Sequence, residues 1–429
     1  MISIRAKENE IIAIDEKLNS SIPNFKKVIL AKEESPDILG LHFEKKNDEL
    51  VLKSSYFIGY VWLERKKSYI SITPKKTKDG RVADFVKMFS DCINNSYVAT
   101  HLGDTYKIFT QQPKIEIDKN NDIITPFIII NFINILHKIT KQGLKKGYIR
   151  ETKNLSSKIK GRIFINQTIK SNHFKSKLEK TVCDYQKYTI NCIENQILKT
   201  ALIQSLKYLA FIDNEQLVSK IKSILHSFKL VDTKEVFAKD FTKIKLSSIF
   251  FDYKEALNLA KLIFNQLGYS LQTKRQEEKI KVPPFYINMP ELFERYVEIL
   301  LRKTYSTNVI PGYSNTSRDK NSYLWGLRPD FIIKEQNIIV DAKYKYWFIN
   351  PASENLKDDL QQLSLYGRIE KLKKDIGTEK NNEPVILFVY PTTGKNNEKE
   401  IKIENSELIE DLTNIYKMGI EIPYKRTDE

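Results

Sequence analysis

The feature that most constrains the fold of this 429-residue chain is a pair of acidic residues set beside short apolar stretches. Asp330 directly precedes the run Phe-Ile-Ile, and Asp341 directly follows the run Ile-Ile-Val. If both stretches are buried strands, the two carboxylates are costly unless they are paired or bind a metal ion. The alternative interpretation is a surface hairpin whose charges are solvated.

The spacing predicts that both acids and Lys343 share one face of a hairpin. A two-residue turn at 335–336 would place Asp330 opposite Asp341, whereas a turn at 336–337 would place Asp330 opposite Lys343. In both cases the three side chains lie on the same face, because strand side chains alternate with period two. A three-residue loop would break this parity. Directly opposite Cβ atoms lie about 5 Å apart, so the two carboxylates would be close enough to share a cation.

This arrangement predicts a site for a hard divalent cation, Mg²⁺, with Mn²⁺ as the alternative. Such ions take oxygen ligands and keep bound waters. The oxygens would come from Asp330, Asp341 and the backbone carbonyl of Ala342. The ion would lower the pKa of a bound water and orient a phosphodiester. Lys343 would assist the attacking water or neutralise charge on the phosphate.

The charge pattern favours a polyanionic partner. Lysine and arginine outnumber aspartate and glutamate by 70 to 54, a net charge of +16, as is typical of proteins that bind nucleic acid. Residues 141–180 hold twelve basic side chains against two acidic ones, with aromatic residues between them. We predict that nucleic acid contacts Lys158, Lys160, Arg162 and Lys170 in this stretch. The alternative is a basic connector with a solvated surface.

Hydrophobic periodicity predicts an α+β multidomain fold in three segments. Segment 1–115 is predicted to be a β-rich N-terminal domain, with a hairpin of strands at 58–63 and 69–72. Segment 116–278 is predicted to be a helical, basic region. Segment 279–429 alternates helix and strand patterns, which predicts an α/β domain with a mixed sheet.

Finer predictions concern the second and third segments. In the second, a long helix is predicted over 185–211. In the third, helices are predicted at 290–303 and 355–372. The strands predicted there cover 323–325, 329–333, 338–344, 385–390 and 400–403.

Several classes of protein are disfavoured. Three cysteines far apart support neither a disulfide framework nor a zinc knuckle. The N-terminus lacks the apolar stretch of a signal peptide, and the most apolar run, 123–136, is shorter than the about 20 residues that a membrane span needs. We therefore expect a cytoplasmic protein with no membrane contact. The motif G-x-x-x-x-G-K-[ST] is absent from the sequence, so nucleotide hydrolysis would need another chain.

The sequence resembles a known nuclease family. The sequence contains Pro329-Asp330 and, eleven positions after this aspartate, Asp341-x-Lys343. Together these residues are similar to the core of the PD-(D/E)xK nuclease superfamily. A closer similarity is to the McrC family, the nuclease subunit of McrBC-type modification-dependent restriction systems. It is carried by Leu-Phe-Glu at 292–294, Arg-Pro-Asp at 328–330, Asp-Ala-Lys-Tyr-Lys at 341–345, and Asp359-x-x-Gln362-Leu363-x-x-Tyr366, and more loosely by 59–61, 70–75, 85–88, 160–162 and 191–199.

The resemblance extends the predicted site. It implies that Glu294 and Gln362 join the three strand residues in the catalytic set; Glu291 is the alternative to Glu294. Tyr366 lies four residues after Gln362, on the same helix face, and is a further candidate. Lys345 is added to the DNA-binding candidates.

The resemblance also implies a function. It implies a Mg²⁺-dependent DNA endonuclease subunit of a restriction complex that acts in anti-phage defence, with a PD-(D/E)xK domain at 279–429. It further implies a hetero-oligomer with a McrB-like AAA+ GTPase or ATPase, which segment 1–115 would dock to and stimulate. Two alternatives are a catalytically silent DNA-binding or motor-activating subunit and a stand-alone repair or resolvase nuclease.

Overall fold

The computed structural model describes most of the chain, in stretches separated by gaps. The described residues are 2–12, 40–46, 49–77, 80–95, 97–118, 124–209, 215–244, 246–247, 249–267, 279–312, 328–345, 355–376, 383–392 and 400–426.

The described strands lie before and after a helical stretch that separates β12 from β13. In chain order they are β1 (Ile2–Lys7), β2 (Ile11–Ile12), β3 (His42–Lys46), β4 (Glu49–Lys53), β5 (Phe57–Glu64), β6 (Ser68–Thr73), β7 (Arg81–Ala83), β8 (Tyr106–Ile108), β9 (Ile115–Asp118), β10 (Gly147–Ser156), β11 (Arg162–Ile163), β12 (Lys180–Thr189), β13 (Lys279–Val282), β14 (Phe285–Asn288), β15 (Val309–Pro311), β16 (Phe331–Ile333), β17 (Ile338–Ala342), β18 (Val385–Thr392), β19 (Glu407–Leu408), β20 (Ile415–Glu421) and β21 (Tyr424–Arg426).

The α-helices are most frequent in the middle of the chain. In chain order they are α1 (Phe85–Asn94), α2 (Ile124–Gln142), α3 (Ile165–Ser171), α4 (Ile193–Leu209), α5 (Glu215–Ser227), α6 (Ala238–Thr242), α7 (Phe251–Leu267), α8 (Met289–Tyr305), α9 (Asn355–Tyr366) and α10 (Glu370–Ile376).

Tertiary contacts divide the chain into two compact units. The first unit combines Met1–Glu116 with Val282–Glu429, and the second is Ile117–Lys281. The predicted central segment has nearly these bounds, but the predicted first and third segments share one unit. The reason is that β14, which follows the central segment, pairs with β5 and β8 of the N-terminal segment.

The first sheet of the first unit has the strand order β1-β6-β5-β14-β8. The predicted hairpin is confirmed, since β5 and β6 pair antiparallel. Strand β14 pairs closely with β5 at Gly59, and only glycine fits there. Its φ is +143°, and a Cβ at this position would lie 2.2 Å from the carbonyl oxygen of Phe285. The sheet β2-β4-β3 shares its apolar core, in which Leu52 and Ile70 are fully buried.

The second sheet of the first unit has the order β15-β16-β17-β18-β20-β19 and is mixed, as predicted. Strand β17 pairs antiparallel with β16 and parallel with β18. Helices α9 and α10 pack against it through a core of Ile332, Ile339, Leu363, Tyr366, Ile369, Leu372, Ile376, Ile386, Phe388 and Ile415.

Helix α8 belongs to the same unit and begins at a defined cap. The side chain of Asn288 accepts a hydrogen bond from the backbone N–H of Glu291, and Pro290 occupies the first turn. The helix packs against α1 and β15. The helix predicted at 290–303 begins and ends within two residues of the observed α8.

The second unit is built on helices. Helix α2 is apolar along most of its length and packs against α4, α5 and α7. It ends where Gly143 adopts φ +97°, a conformation that favours glycine after a helix.

The predicted helical character of the second segment is wrong for residues 147–156, 162–163 and 180–189, which form strands, whereas α3 between them is helical. There β10 and β12 pair antiparallel from Gly147↔Thr189 to Ser156↔Lys180, and β11 adds to β12. We call these three strands the central sheet. The predicted helix over 185–211 begins only at Ile193. Many side chains of β10 and β12 are exposed, so the apolar alternation that would predict a strand is weak.

Three predictions in the third segment differ from the structure or fall outside its described residues. The strand predicted at 400–403 is wrong, because Ile403–Asn405 forms a 3₁₀ turn and the strand is Glu407–Leu408. The predicted helix 355–372 is two helices, α9 and α10. The strand predicted at 323–325 lies outside the described residues.

Candidate functional site

The hairpin of β16 and β17 carries both predicted acids. Its register pairs Phe331↔Val340, Ile332↔Ile339 and Ile333↔Ile338. Continued by one residue, this register places Asp330 opposite Asp341, which confirms the first of the two predicted registers. The intervening residues 334–337 are even in number, and Glu335 and Asn337 take positive φ values of 69° and 54°. Residues at the same alternating positions of the two strands therefore remain on one face of the hairpin. Asp330 and Asp341 both lie on the face that α9 covers.

Asp341 is buried, with 1% of its surface exposed. Its Oδ1 accepts hydrogen bonds from Lys343 Nζ at 3.2 Å and from Tyr366 OH at 3.5 Å. Its Oδ2 lies 3.0 Å from Lys343 Nζ, but within the described part of the chain it accepts no hydrogen bond. Buried carboxylate oxygens are usually satisfied, so this oxygen is suited to a cation.

Asp330 is held beside Asp341 by backbone hydrogen bonds. Its Oδ2 accepts from the N–H of Ala342 at 2.7 Å, and its carbonyl oxygen accepts from the N–H of Gly312 at 2.8 Å. Burial raises the pKa of Asp330 well above its ordinary value, and the nearby carboxylates of Asp341 and Glu294 raise it further. A second negative charge here is unfavourable unless a cation compensates it.

Lys343 supplies one positive charge beside the two acids. Burial by itself lowers the pKa of Lys343, but the charges of Asp341 and Asp330 outweigh it, so the pKa lies above its ordinary value. The backbone N–H of Lys343 donates to the carbonyl of Val389 at 2.9 Å. The ammonium group therefore stays charged and is fixed at the end of β17.

Of the two glutamates considered on α8, Glu294 is the one near the acids. Burial raises the pKa of Glu294 to about 7. The positive charges of Arg295 and Lys343 lower this pKa, whereas the negative charges of Glu291 and Asp341 raise it. Glu294 Oε2 lies 3.7 Å from Arg295 Nη1. Glu291 instead accepts a hydrogen bond from Arg295 Nη2 at 3.0 Å.

Gln362 and Tyr366 form the side of the site that α9 provides. The amide of Gln362 donates to Tyr366 OH at 2.9 Å, and this hydroxyl lies 2.9 Å from the carbonyl oxygen of Arg328 and 3.5 Å from Asp341 Oδ1. Because a hydroxyl has one proton, it donates to one of these two oxygens at a time. Tyr366 is fully buried and is both a core residue and a neighbour of the acids.

Lys345 is placed beside the same site but in an ion pair. Its Nζ lies 3.4 Å from Asp359 Oδ2. Burial lowers the pKa of Lys345 and raises that of Asp359. The sequence pattern contained Asp359, but its role as the partner of Lys345 was not predicted. The predicted contact between Lys345 and DNA stays a prediction.

The residues present fit a magnesium-type ion with few protein ligands. Over the described ranges, no group of three or more histidine, cysteine, aspartate or glutamate side chains is arranged to hold a metal ion. Asp330 and Asp341 offer two carboxylates, one with an oxygen that lacks a hydrogen bond. Mg²⁺ is commonly held by one or two carboxylates and several waters, so this donor set suits it.

The predicted DNA-binding residues of the second unit are on its surface. Lys158, Lys160, Arg162 and Lys170 are all exposed, in or beside the central sheet. Lys160 Nζ lies 5.6 Å from the ring centroid of Tyr185. Exposure leaves these side chains accessible to a phosphate backbone, and DNA contact by them stays a prediction.

Comparison with known proteins identifies the family. Residues 52–391, more than half of the chain, match the family model described as McrBC 5-methylcytosine restriction system component. The chain belongs to the McrBC family. The resemblance found in the sequence is thereby confirmed at the level of the family.

Two solved structures similar to this McrBC-family chain come from Thermococcus gammatolerans. One is a refined half-complex from a tetradecameric assembly of McrB AAA+ hexamers with bound McrC: 15% identity, 97% of this chain and 94% of that chain covered, TM-score 0.38. The other is a cryo-EM structure of the McrBC complex: 12% identity, 69% of this chain and 86% of that chain covered, TM-score 0.32. Among curated proteins, no sequence matches significantly.

Two further findings bear on the predictions for this McrBC-family chain. No helix among the described residues is long and apolar enough to cross a membrane. Its three cysteines are buried and unpaired.

One contact beside the candidate site was not predicted from the sequence. Tyr344, next to Lys343, donates a hydrogen bond to Glu8 Oε1 at 3.2 Å. The two residues are 336 positions apart, so no local pattern connects them.

Proposed function

We propose that this chain is the Mg²⁺-dependent DNA endonuclease subunit of a McrBC-type restriction complex, with a nuclease domain of the PD-(D/E)xK type. The observation that supports it best is the juxtaposition of Asp330, Asp341 and Lys343 at the end of two paired strands. A buried oxygen of Asp341 accepts no hydrogen bond from the described residues, and burial, together with the nearby carboxylates of Asp341 and Glu294, raises the pKa of Asp330. Both features favour a bound cation.

The chain's own residues have distinct roles in this proposal. Asp330, Asp341 and the carbonyl of Ala342 would hold Mg²⁺, or Mn²⁺ in its place. When bound, the ion would supply a water of lowered pKa and positive charge at the phosphate. Lys343, charged and fixed, would neutralise the charge that develops on the phosphate oxygens.

Glu294 and Gln362 complete the proposed catalytic set. Glu294 adds a partly buried carboxyl from α8, within electrostatic reach of Asp330 and Lys343. Gln362 holds the hydroxyl of Tyr366, which in turn contacts Asp341. Tyr366 therefore lies beside the side chain of one proposed metal ligand.

The chain would act with a motor subunit. Membership of a family described as a restriction system component implies further components, and the sequence has no G-x-x-x-x-G-K-[ST] motif of its own. We propose a hetero-oligomer with a McrB-like AAA+ GTPase or ATPase, whose hydrolysis residues 1–115 would stimulate. Double-stranded DNA would contact Lys345 and the exposed basic residues in and near the central sheet.

A cleavage assay on Lys343→Ala tests the proposal. With Mg²⁺, the motor partner and DNA carrying the modified base, we expect the cleavage rate to fall by a factor on the order of 10² to 10³. DNA binding and partner binding should persist. Lys334→Ala is the matched control, since Lys334 is an exposed lysine in the turn of the same hairpin and should leave cleavage unchanged.

The assay also separates the alternatives. If Lys343→Ala cuts like the wild type, the site assignment is wrong. If the wild type binds DNA and partner but never cuts, the chain is a silent DNA-binding or motor-activating subunit. Cleavage by the wild type without any partner would indicate a stand-alone nuclease.

A further inference from the structure

A buried glutamate just after β1 contacts a tyrosine just after β17, the strand that carries Asp341 of the proposed nuclease site. Glu8 follows β1 and is 2% exposed. Its backbone N–H donates to Thr73 O at 2.9 Å, and its Oε1 accepts from the N–H of Lys75 at 3.1 Å and from Tyr344 OH at 3.2 Å. Its Oε2 accepts no hydrogen bond in the described part of the chain. A carboxyl buried in this way is costly, so its position calls for an explanation.

Tyr344 is the residue that Glu8 holds, and it adjoins Lys343. Tyr344 is 2% exposed. Its ring makes an edge contact with Tyr56, at 5.9 Å between centroids, and a tilted contact with Phe293, at 5.8 Å. Such aromatic contacts fix ring positions as well as burying surface. One ring therefore joins the N-terminal segment, helix α8 and the end of β17.

The neighbours of this ring are proposed catalytic residues. Tyr344 follows Lys343 directly in the chain, and Phe293 precedes Glu294. Strand β17 ends at Ala342, so Lys343 lies just beyond its last ladder residue, where the carbonyl of Val389 accepts its backbone N–H. A shift of Tyr344 would move the backbone from which the Lys343 side chain extends.

We propose that Glu8 and Tyr344 form a clamp that positions Lys343, so that catalysis at the C-terminal site depends on the N-terminal sheet. The proposal rests on the nuclease function proposed above. Glu8 and Tyr344 are positioning residues: neither contacts the phosphate in this proposal. The clamp explains why an acid is buried against a tyrosine 336 positions away in the sequence. It also makes the first unit, and not residues 279–429 alone, the functional nuclease.

The test uses the full chain with its motor partner, Mg²⁺ and modified DNA. Tyr344→Phe keeps the ring and removes only the hydroxyl. We expect kcat for cleavage to fall about 10-fold to 100-fold, since small misplacements of a reacting group cost this much, while KM for DNA, partner binding and the melting temperature change little. Glu8→Ala should give the same loss of kcat, and Glu8→Gln should restore most of it because an amide oxygen accepts the same hydrogen bonds.

Tyr424→Phe is the matched control. Its hydroxyl donates to Thr392 O at 3.2 Å, so the variant removes a hydrogen bond of the same length from the same unit. It should cut at the wild-type rate. The clamp is refuted if Tyr344→Phe cuts within two-fold of wild type, or if its loss of cleavage is matched by loss of folding or of partner binding.

Failure of the clamp differs from failure of the proposed function. If Lys343→Ala is inactive while Tyr344→Phe cuts normally, only the clamp is wrong. If Lys343→Ala itself cuts normally, the nuclease site is wrong and the clamp falls with it.

Discussion

Replacing Glu8 by glutamine should flatten the pH dependence of stability of the first unit. Burial raises the pKa of Glu8 from 4.5 to about 7, against the smaller opposing effects of its hydrogen bonds with Lys75 and Tyr344. An acid with a raised pKa holds its proton more tightly in the folded than in the unfolded state. Its contribution to the free energy of unfolding is therefore fully present below about pH 4.5 and is lost as the pH rises through about 7.

The expected magnitude follows from the two pKa values. One pKa unit corresponds to about 1.4 kcal/mol, so the full effect is about 3 kcal/mol. About 2 kcal/mol of it falls between about pH 5.5 and about pH 8.5. The wild type should lose this much stability over that range relative to Glu8→Gln. Other groups that titrate there contribute equally to both proteins and cancel in the comparison.

Urea unfolding followed by tryptophan fluorescence measures this difference. Residues 117–281, which make up the second unit, contain no tryptophan, and Trp62 lies in β5 of the first unit, so the signal does not come from the second unit and Trp62 reports on the unit that contains Glu8. Glu10→Gln is the matched control because Glu10 is exposed, two residues along, and should follow the wild type. Parallel profiles for wild type and Glu8→Gln would refute the reasoning, since Glu8 would then not be a protonated buried acid near neutral pH.

Three further predictions concern other parts of the molecule. Gly59→Ala should destabilise the first unit by about 3 kcal/mol or more, because its φ is +143° and the new Cβ would meet a backbone oxygen at 2.2 Å; urea unfolding measures it, and a change below about 1 kcal/mol would contradict it. Lys158→Glu with Arg162→Glu should weaken DNA binding and lower the slope of log affinity against log salt by about one for each phosphate that the protein no longer neutralises, as measured by fluorescence anisotropy. An unchanged slope would mean that these residues are only solvated. Tyr366→Phe should cost about 1 kcal/mol of stability and slow cleavage about ten-fold; full cleavage activity would exclude a role for its hydroxyl.

The arrangement of the hairpin and α9 residues at the candidate site could be predicted from sequence because these parts are local. Asp330 and Asp341 lie in one hairpin, where the turn length fixes the register and the period of two fixes the face. Gln362 and Tyr366 lie one helical turn apart, where the periodicity of the helix brings them together. Each inference spans a dozen residues or fewer, over which backbone geometry alone determines which side chains meet.

The central sheet could not be predicted in the same way. Burial of one face produces the alternation by which a strand is recognised, but many side chains of β10 and β12 are exposed. Helix α4 begins at Ile193, only four residues after β12 ends. Because the isoleucines near its start are spaced as in a helix, the predicted helix began too early, within β12. Only pairing between 147–156 and 180–189 makes these residues a sheet.

By itself, the sequence determined the local geometry of the hairpin of β16 and β17, the helical character of α4, α8, α9 and α10, and the membership of the McrBC family. Only the tertiary structure decided that β14, which follows the whole central unit in sequence, completes an N-terminal sheet, that Lys345 is paired with Asp359, and that Glu8 holds Tyr344. The physical reason is that periodicity encodes which face of an element is apolar, whereas partners hundreds of residues apart are chosen by packing and desolvation in the assembled core.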